Sequence, residues 1–360
     1  MGNDTPPVDL DIPNLTLAEL EAMRLVLRGG SVIDWHRLNF ERASDIERFI
    51  ASQCLNLNRA DDRARVRLVR DQAIAYLRRT FGFPVPGPVA RKELDELLAL
   101  ASASGHRQLC ACAILKVMHI IHHLEARELL FRLPTSDSQV FHLVEAKVYG
   151  VVGKMLGEGL PIVEFIGGRK QTDSLYSKLL SKEDTLAAQV YDKVRFRIVV
   201  RRPEDVYRVL PRLLFELFPF NYVIPGESYN TLLPWVAQCQ AHPELRNLLP
   251  KLQFRLELEE ESANDNHFSS KRYRVIHFVV DMPLALPEPM LNLIDKDTRH
   301  LGRVIFAQAE FQLIDEVSDR DNEIGDASHA AYKARQKAAI AERLKLGLIS
   351  ARQAPTPGAR

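Results

Sequence analysis

Cysteine is scarce in this chain: Cys54, Cys110, Cys112 and Cys239 are the only four in 360 residues. Four scattered cysteines exclude a disulfide-stapled scaffold, and a chain this long can bury a core without staples. Cys110 and Cys112 are two positions apart in an apolar stretch, so on a helix they face different ways and read as reduced core residues. An excess of one charge is lacking too. Lys and Arg number 48 against 47 Asp and Glu, a net charge of +1. Nothing global therefore draws nucleic acid or another polyanion, and anion recognition has to come from local clusters. The apolar runs are broken by charges before the ~18 residues of a membrane span. The acidic, Pro-containing start MGNDTPPVDLDIPN lacks the basic-then-apolar pattern of a secretion signal. These absences predict a cytoplasmic location and no membrane partner.

What is present has the balance of an ordinary globular protein, 46% hydrophobic and 26% charged. Residues 1–14 read as a disordered lead. Thr16 and Glu19 form a capping box that opens a helix, and apolar residues at three- and four-residue spacing then recur to about residue 133. HRQLCACAILKVMHIIHHLEARELLFRL is apolar on more than one face, the mark of a central buried helix. The turn cluster LPTSDS ends this helical domain, 15–135. One more helix follows, and then the texture changes. PIVEFIGG, VRFRIVV, YRVIHFVV and VIFAQAEFQLID are β-branched or aromatic runs of strand length, separated by the helical segments DSLYSKLLSKED and PEDVYRVLPRLLFELF. The predicted class is α+β, a mixed sheet flanked by helices in a domain over 136–345. Residues 226–268 fit it poorly and read as an insertion with a helical piece and an acidic strand, FRLELEEESANDN. Residues 346–360 read as a loose tail.

Three local patterns carry chemistry. In GGRKQTDSLYSKLL, two glycines and Arg169-Lys170 precede a helix on which Ser174 and Lys178 share a face. A helix start flanked by lysine suits phosphate, although surface helices often begin this way. In YDKVRFRIVV, Arg195 and Arg197 share one strand face, which is either solvated or lines an anion site. In AEFQLID, Glu310 and Gln312 alternate with apolar neighbours and share a sheet face. With Asp192 nearby, Glu310 would make a Mg²⁺ site of the phosphoryl-transfer type. An antiparallel sheet with one wet face explains the same alternation.

In order and spacing these patterns resemble the synthetase domain of the RelA/SpoT family. The matching residues are Lys170, Ser174, Lys178 and Leu179; Asp192 five residues before Arg197-Ile198-Val199-Val200; Tyr273 and His277; Glu310 and Gln312; and Glu323-x-Gly325-x-Ala327-x-His329-x-x-Tyr332-Lys333. The resemblance implies a nucleotidyltransferase-type fold and a Mg²⁺-dependent pyrophosphokinase, moving pyrophosphate from ATP to the ribose 3′-OH of GDP or GTP. It implies that Asp192 and Glu310 hold Mg²⁺, with Glu310 also taking the 3′-OH proton. Lys170, Ser174, Lys178 and Arg197 would hold the ATP phosphates, Tyr273 would stack on guanine, and His277 would support the acceptor. Arg169, Arg195, Glu323, His329, Tyr332 and Lys333 belong to the pattern without an assigned role.

The chain departs from the family at several points. Gly168 stands where an Arg is usual, the Phe220-Asn221-Tyr222 stretch carries no Lys, Val275 replaces a Ser, Ile314 an Arg and Asp319 a His. Two alternatives to the pyrophosphokinase therefore stand beside it: a guanine-nucleotide sensor of the same fold without turnover, and pyrophosphate transfer to an RNA 3′ end. Self-association is left open. His119, His122 and His123 have helical spacing that could bind metal; they read better as polar residues at a domain junction. No His-Asp dipeptide occurs in residues 1–150, which argues against the family's hydrolase activity.

Overall fold

A computed structural model describes residues 15–28, 33, 35–181, 193–248, 272–324 and 328–346. The lead, the acidic strand expected in the insertion and most of the tail lie outside these residues.

Seven helices come first: α1 (Leu17–Arg28), α2 (Ala43–Ser52), α3 (Ala60–Phe81), α4 (Gly87–Ala90), α5 (Leu94–Ala101), α6 (His106–Arg132) and α7 (Asp137–Gly157). The Thr16–Glu19 box starts α1. Glu19 N–H donates to Thr16 Oγ1 at 3.2 Å, and Thr16 N–H donates to Glu19 Oε2 at 2.9 Å. Ser136 and Gln139 form the same device at the start of α7, within the LPTSDS turn. By length and composition α6 could cross a membrane, contrary to the expectation from interrupted runs. Its Cys110, Ala111, Ile114, Leu115 and Met118 are buried in the core of the helical layer, where it packs against α3 and α5.

The remainder is β1 (Ile162–Arg169), α8 (Thr172–Ser181), β2 (Val194–Val200), α9 (Val206–Arg212), β3 (Tyr229–Asn230), α10 (Trp235–Ala241), α11 (Pro243–Leu248), β4 (Ile276–Ala285), α12 (Glu288–Leu291), β5 (Val304–Asp315), α13 (Glu316–Asn322) and α14 (His329–Arg343). The single helix expected from PEDVYRVLPRLLFELF is broken. Pro211 lies inside α9, and a π-turn follows over Leu213–Leu217. Proline has no N–H for the ladder, so the turn spacing shifts.

The five strands form one mixed sheet in the order β1-β2-β5-β4-β3. β2 and β5 are parallel; β1–β2, β5–β4 and β4–β3 are antiparallel. The structure is thus α+β with a mixed sheet flanked by helices, as the sequence predicts. The sheet's period of two sorts its side chains. Phe196, Ile198, Phe278, Val280, Phe311 and Leu313 face the core, which runs without a break into the helical layer. The opposite face carries Arg195, Arg197, His277, Glu310 and Gln312. The N-terminal half of β5 is covered on that opposite face by α6: the His123 ring stacks on Phe306 at 4.3 Å, and His122 meets it edge-on at 5.4 Å.

Candidate functional site

Register brings the sheet-face residues together. Arg195 lies opposite Glu310, Arg197 opposite Gln312, and His277 opposite Gln312 from the other side. The side chains form a chain of contacts across three strands. Arg197 Nε donates to Gln312 Oε1 at 3.2 Å, Gln312 Nε2 donates to Glu310 Oε1 at 2.8 Å, and His277 Nε2 lies 3.3 Å from that same oxygen. Glu310 is buried. A buried carboxylate is tolerated because polar neighbours hold it, and here an amide and an imidazole do so. His277 is itself held by the ring of Tyr229, stacked at 4.7 Å and 15°.

Tyr229 and Tyr273 pack on Val199, Val275 and Ile314, a small apolar patch continuous with the polar row. Val275 and Ile314, departures from the family's Ser and Arg, build this patch. The sequence placed Tyr273 on a strand; it precedes β4, anchored where Thr231 Oγ1 donates to its carbonyl at 2.9 Å. Burial raises the Tyr273 phenol above its ordinary value. Arg197 opposes that rise, and Glu310, Asp319 and Glu323 add to it. The ring therefore sits inside the field of the whole polar row, neutral at physiological pH. Burial raises Tyr229 further, with Tyr273, Glu310 and Tyr332 contributing. Tyr332, in the first turn of α14, is thus near this aromatic pair.

The other end of Arg197 meets acid. Its Nη1 donates to Asp319 Oδ1 at 3.0 Å and lies 3.8 Å from Glu323 Oε1. The position of Asp319 follows from β5. Asp315 ends the strand and caps α13, accepting from Val317 N–H and Ser318 N–H at 2.9 and 3.1 Å. One turn later Asp319 lies over β2. The residue read from sequence as a lost cation is therefore a gained anion, bound to an arginine expected to hold phosphate. Sequence spacing alone does not reveal this pair, because the two residues are 122 positions apart.

The basic pair before α8 separates. Gly168 lies opposite Arg195 on the polar face, whereas Arg169 lies opposite Val194 and turns to α7. There it donates to Glu145 at 2.9 and 2.8 Å and to Ser138 Oγ at 3.0 Å, and it lies over the Phe141 ring. Arg169 therefore does not stand in for a cation at position 168. The two glycines belong to β1, at the end of the run expected to form a strand. A Cβ on Gly167 would run into the Tyr149 hydroxyl and the Phe196 ring, while one on Gly168 would meet nothing within 4 Å. Lys170 follows the strand, and its N–H donates to Lys193 O at 2.9 Å. Ser174 and Lys178 lie on α8, whose residues are not buried in the core. α14 packs along α8: Lys333 Nζ donates to Ser174 Oγ at 3.4 Å and Gln336 Nε2 to Ser181 Oγ at 3.1 Å.

Asp192 and the side chain of His329 fall outside the described residues, so of the expected Asp192–Glu310 pair only Glu310 is described. Among the described residues no group of three or more His, Cys, Asp or Glu is arranged to hold a metal. Glu310 offers a hard carboxylate oxygen of the kind Mg²⁺ takes. Sequence reading missed Asp319 as a partner of Arg197 and Tyr229 as the ring on His277. The second lies in the segment set aside as an insertion, of which β3 forms the sheet's edge against β4.

No protein-family model and no curated protein matches the chain. Among solved structures, it is similar to the small alarmone synthetase 1 from Bacillus subtilis at 14% identity, covering 60% of this chain and 92% of that one with a TM-score of 0.30. The same enzyme bound to its product pppGpp aligns at 15% identity over 60% and 91%, with a TM-score of 0.32. A GTP pyrophosphokinase family protein from Streptococcus pneumoniae aligns at 14% over 58% and 88%, with a TM-score of 0.29. At such identities and scores, what this chain does has to be read from its own residues.

Proposed function

We propose that the protein is a pyrophosphokinase-type transferase acting on nucleotides, with its reaction centre on the polar face of β2, β5 and β4. The observation that carries the reading is the row Arg197–Gln312–Glu310–His277, flanked by the Tyr273 ring. It sets a cation, a held carboxylate and an aromatic platform side by side. Phosphoryl-type transfer depends on positioning and electrostatics of this sort. In the reaction the resemblance implies, ATP is the donor and GDP or GTP the acceptor. Tyr273 would hold the guanine by stacking. Glu310 would take the proton of the ribose 3′-OH as that oxygen bonds to the β-phosphorus of ATP. The bond from this phosphorus to the oxygen bridging to the α-phosphate breaks, and AMP leaves. Gln312 and His277 would keep the Glu310 carboxylate aimed. Mg²⁺, held by Glu310 with Asp192, would neutralise phosphate charge when bound.

A second reading is favoured by one contact. Arg197 is spent on Asp319, and neither Gly168 nor Arg169 supplies the cation missing beside it. With Arg197 committed, Arg195 is the other arginine on these strands, and so small a positive charge fits a guanine-nucleotide sensor that binds without turnover. Product chromatography after incubation with ATP, Mg²⁺ and GDP or GTP separates the two, with an RNA oligonucleotide as a further acceptor. AMP together with a 3′-diphosphorylated acceptor supports the transferase. Nucleotide binding that depends on Tyr273, without AMP release, supports the sensor.

A further inference from the structure

At the other end of the sheet from the polar row lies a cleft of about 540 Å³. It opens between the start of α3 and the turn Lys296–Leu301 that leads into β5, where the helical layer meets the sheet. Val304 at its edge is six residues before Glu310 on the same strand, so the two sites are roughly 20 Å apart. The volume falls within the usual range for small-molecule sites, while the lining is richer in charged side chains than is usual for them.

Its arginines are unusual in how they are held. Arg65 is 11% exposed and uses its Nη groups on the protein, donating to His300 O at 2.7 Å and to Glu125. Its Nε is buried with no hydrogen-bond partner among the described residues. Arg303 donates Nη2 to Leu286 O at 3.2 Å, while its Nη1 is buried with no hydrogen-bond partner among the described residues. Glu288 is the nearest acid to that nitrogen, at 3.8 Å, beyond hydrogen-bonding reach and largely exposed. A third arginine, Arg299, lines the same cleft and is exposed. The cleft's other acids are committed or turned outward. Asp62 accepts from Asn56 N–H at 2.8 Å, and Asp61 is 89% exposed beside Arg59. Buried guanidinium N–H groups without acceptors are costly, and both belong to side chains that line this cleft, with the nitrogens themselves shielded from solvent.

We propose that this cleft is a ligand site for a small organic anion, with an apolar body against Leu68, Leu291 and Ile294 and an oxyanion head on Arg299 and Arg303, in the field of Arg65. An oxyanion bonds first to the exposed Arg299, and a turn of the Arg303 guanidinium toward it gives the orphan Nη1 an acceptor; charge-assisted bonds of this type are the stronger ones. Because Arg65 already ties α3 to the turn before β5, an occupant stabilises the junction of the two layers. The site is independent of the reading of the polar face.

The test is calorimetric titration and thermal shift of the full chain with phenyl phosphate, benzoate and uncharged phenol. At least one anion binds saturably in the millimolar range and raises the melting temperature, with phenol weaker by about tenfold or more; the arm that binds identifies the head group. Arg299→Ala and Leu68→Glu, both at exposed positions, each weaken binding by about tenfold without lowering the melting temperature of the empty protein. Arg197→Gln, on the polar face, leaves it unchanged. The proposal is overturned if neither anion binds, if phenol binds as well as they do, or if binding is lost in Arg197→Gln and kept in Arg299→Ala.

Discussion

Replacing Asp319 by Asn should tighten the binding of a phosphate-bearing ligand on the polar face. Asp319 and Arg197 form an ion pair at 3.0 Å with side chains 19% and 29% exposed. A phosphate on Arg197 has to sit within about 5 Å of that carboxylate. At an effective dielectric near 20, two unit charges at about 5 Å repel by about 3 kcal/mol. Partial exposure screens this to about 1–1.5 kcal/mol, or roughly tenfold in affinity. Asn keeps the shape and a hydrogen-bond acceptor for Arg197, so the arginine stays in place while the charge goes. The cost to folding is that of a half-exposed pair, about 0.5–1 kcal/mol. The assay is equilibrium binding of ATP and of pyrophosphate at physiological ionic strength, for the wild type, Asp319→Asn and Arg197→Gln. Affinity should rise about tenfold in the first variant and fall in the second. Unchanged or weaker binding in Asp319→Asn would mean that phosphate does not occupy Arg197, and the reasoning would fail.

Gly168→Arg returns a cation to the polar face, where a Cβ meets nothing within 4 Å. ATP affinity should rise by several-fold, the worth of a charge-assisted contact of about 1 kcal/mol, with the melting temperature unchanged; no gain in titration counts against a phosphate site there. At the junction, burial raises Asp281 to about 6. Its folded value lies above its unfolded one, so its contribution to stability is fully present below about 4 and is lost as pH rises through about 6. Asp281→Asn should therefore be more stable than wild type at pH 8 by about 2–3 kcal/mol, and the gap should close toward pH 4. Urea denaturation at several pH values checks this, and a pH-independent gap contradicts it. The buried histidines near Asp281, of which His123 lies 3.8 Å from it, are common to both proteins, so their titration largely cancels in the comparison.

Strand positions were legible because the long strands carry β-branched and aromatic residues with a period of two: β2 and β5 coincide with their expected runs, β1 passes its run by one residue, and β4 starts three residues into its run and continues five beyond it, to Ala285. The pairing of Glu310 with Gln312 on one face follows from the same period. What connects them to Arg197 and His277 is register between strands more than a hundred residues apart for Arg197, which local pattern does not carry. Arg169 shows the same limit. One step along β1 decides whether its side chain meets the polar face or α7, and only the pairing of Gly168 with Arg195 settles it. The break in the helix at Pro211 was readable from the proline itself. In α6 one mid-helix charge, Lys116, breaks the apolar run between Arg107 and Glu125, yet the helix as a whole is apolar enough to pass for a span by composition; its buried residues make it the central helix that the sequence predicts. Tyr229 was hidden because its strand is two residues long, too short for any alternation.

The central claim is transfer at Glu310, and the most direct measurement follows label from ATP carrying ³²P at the β-phosphate. The wild type, Glu310→Gln and Asp192→Asn are incubated with Mg²⁺ and GDP or GTP, and the products are resolved by chromatography. The account predicts label on the guanosine 3′ position with stoichiometric AMP, and loss of both in Glu310→Gln and Asp192→Asn while ATP and GDP still bind. Label transfer that survives in Glu310→Gln, or no transfer by a wild-type protein that binds both nucleotides, would contradict it.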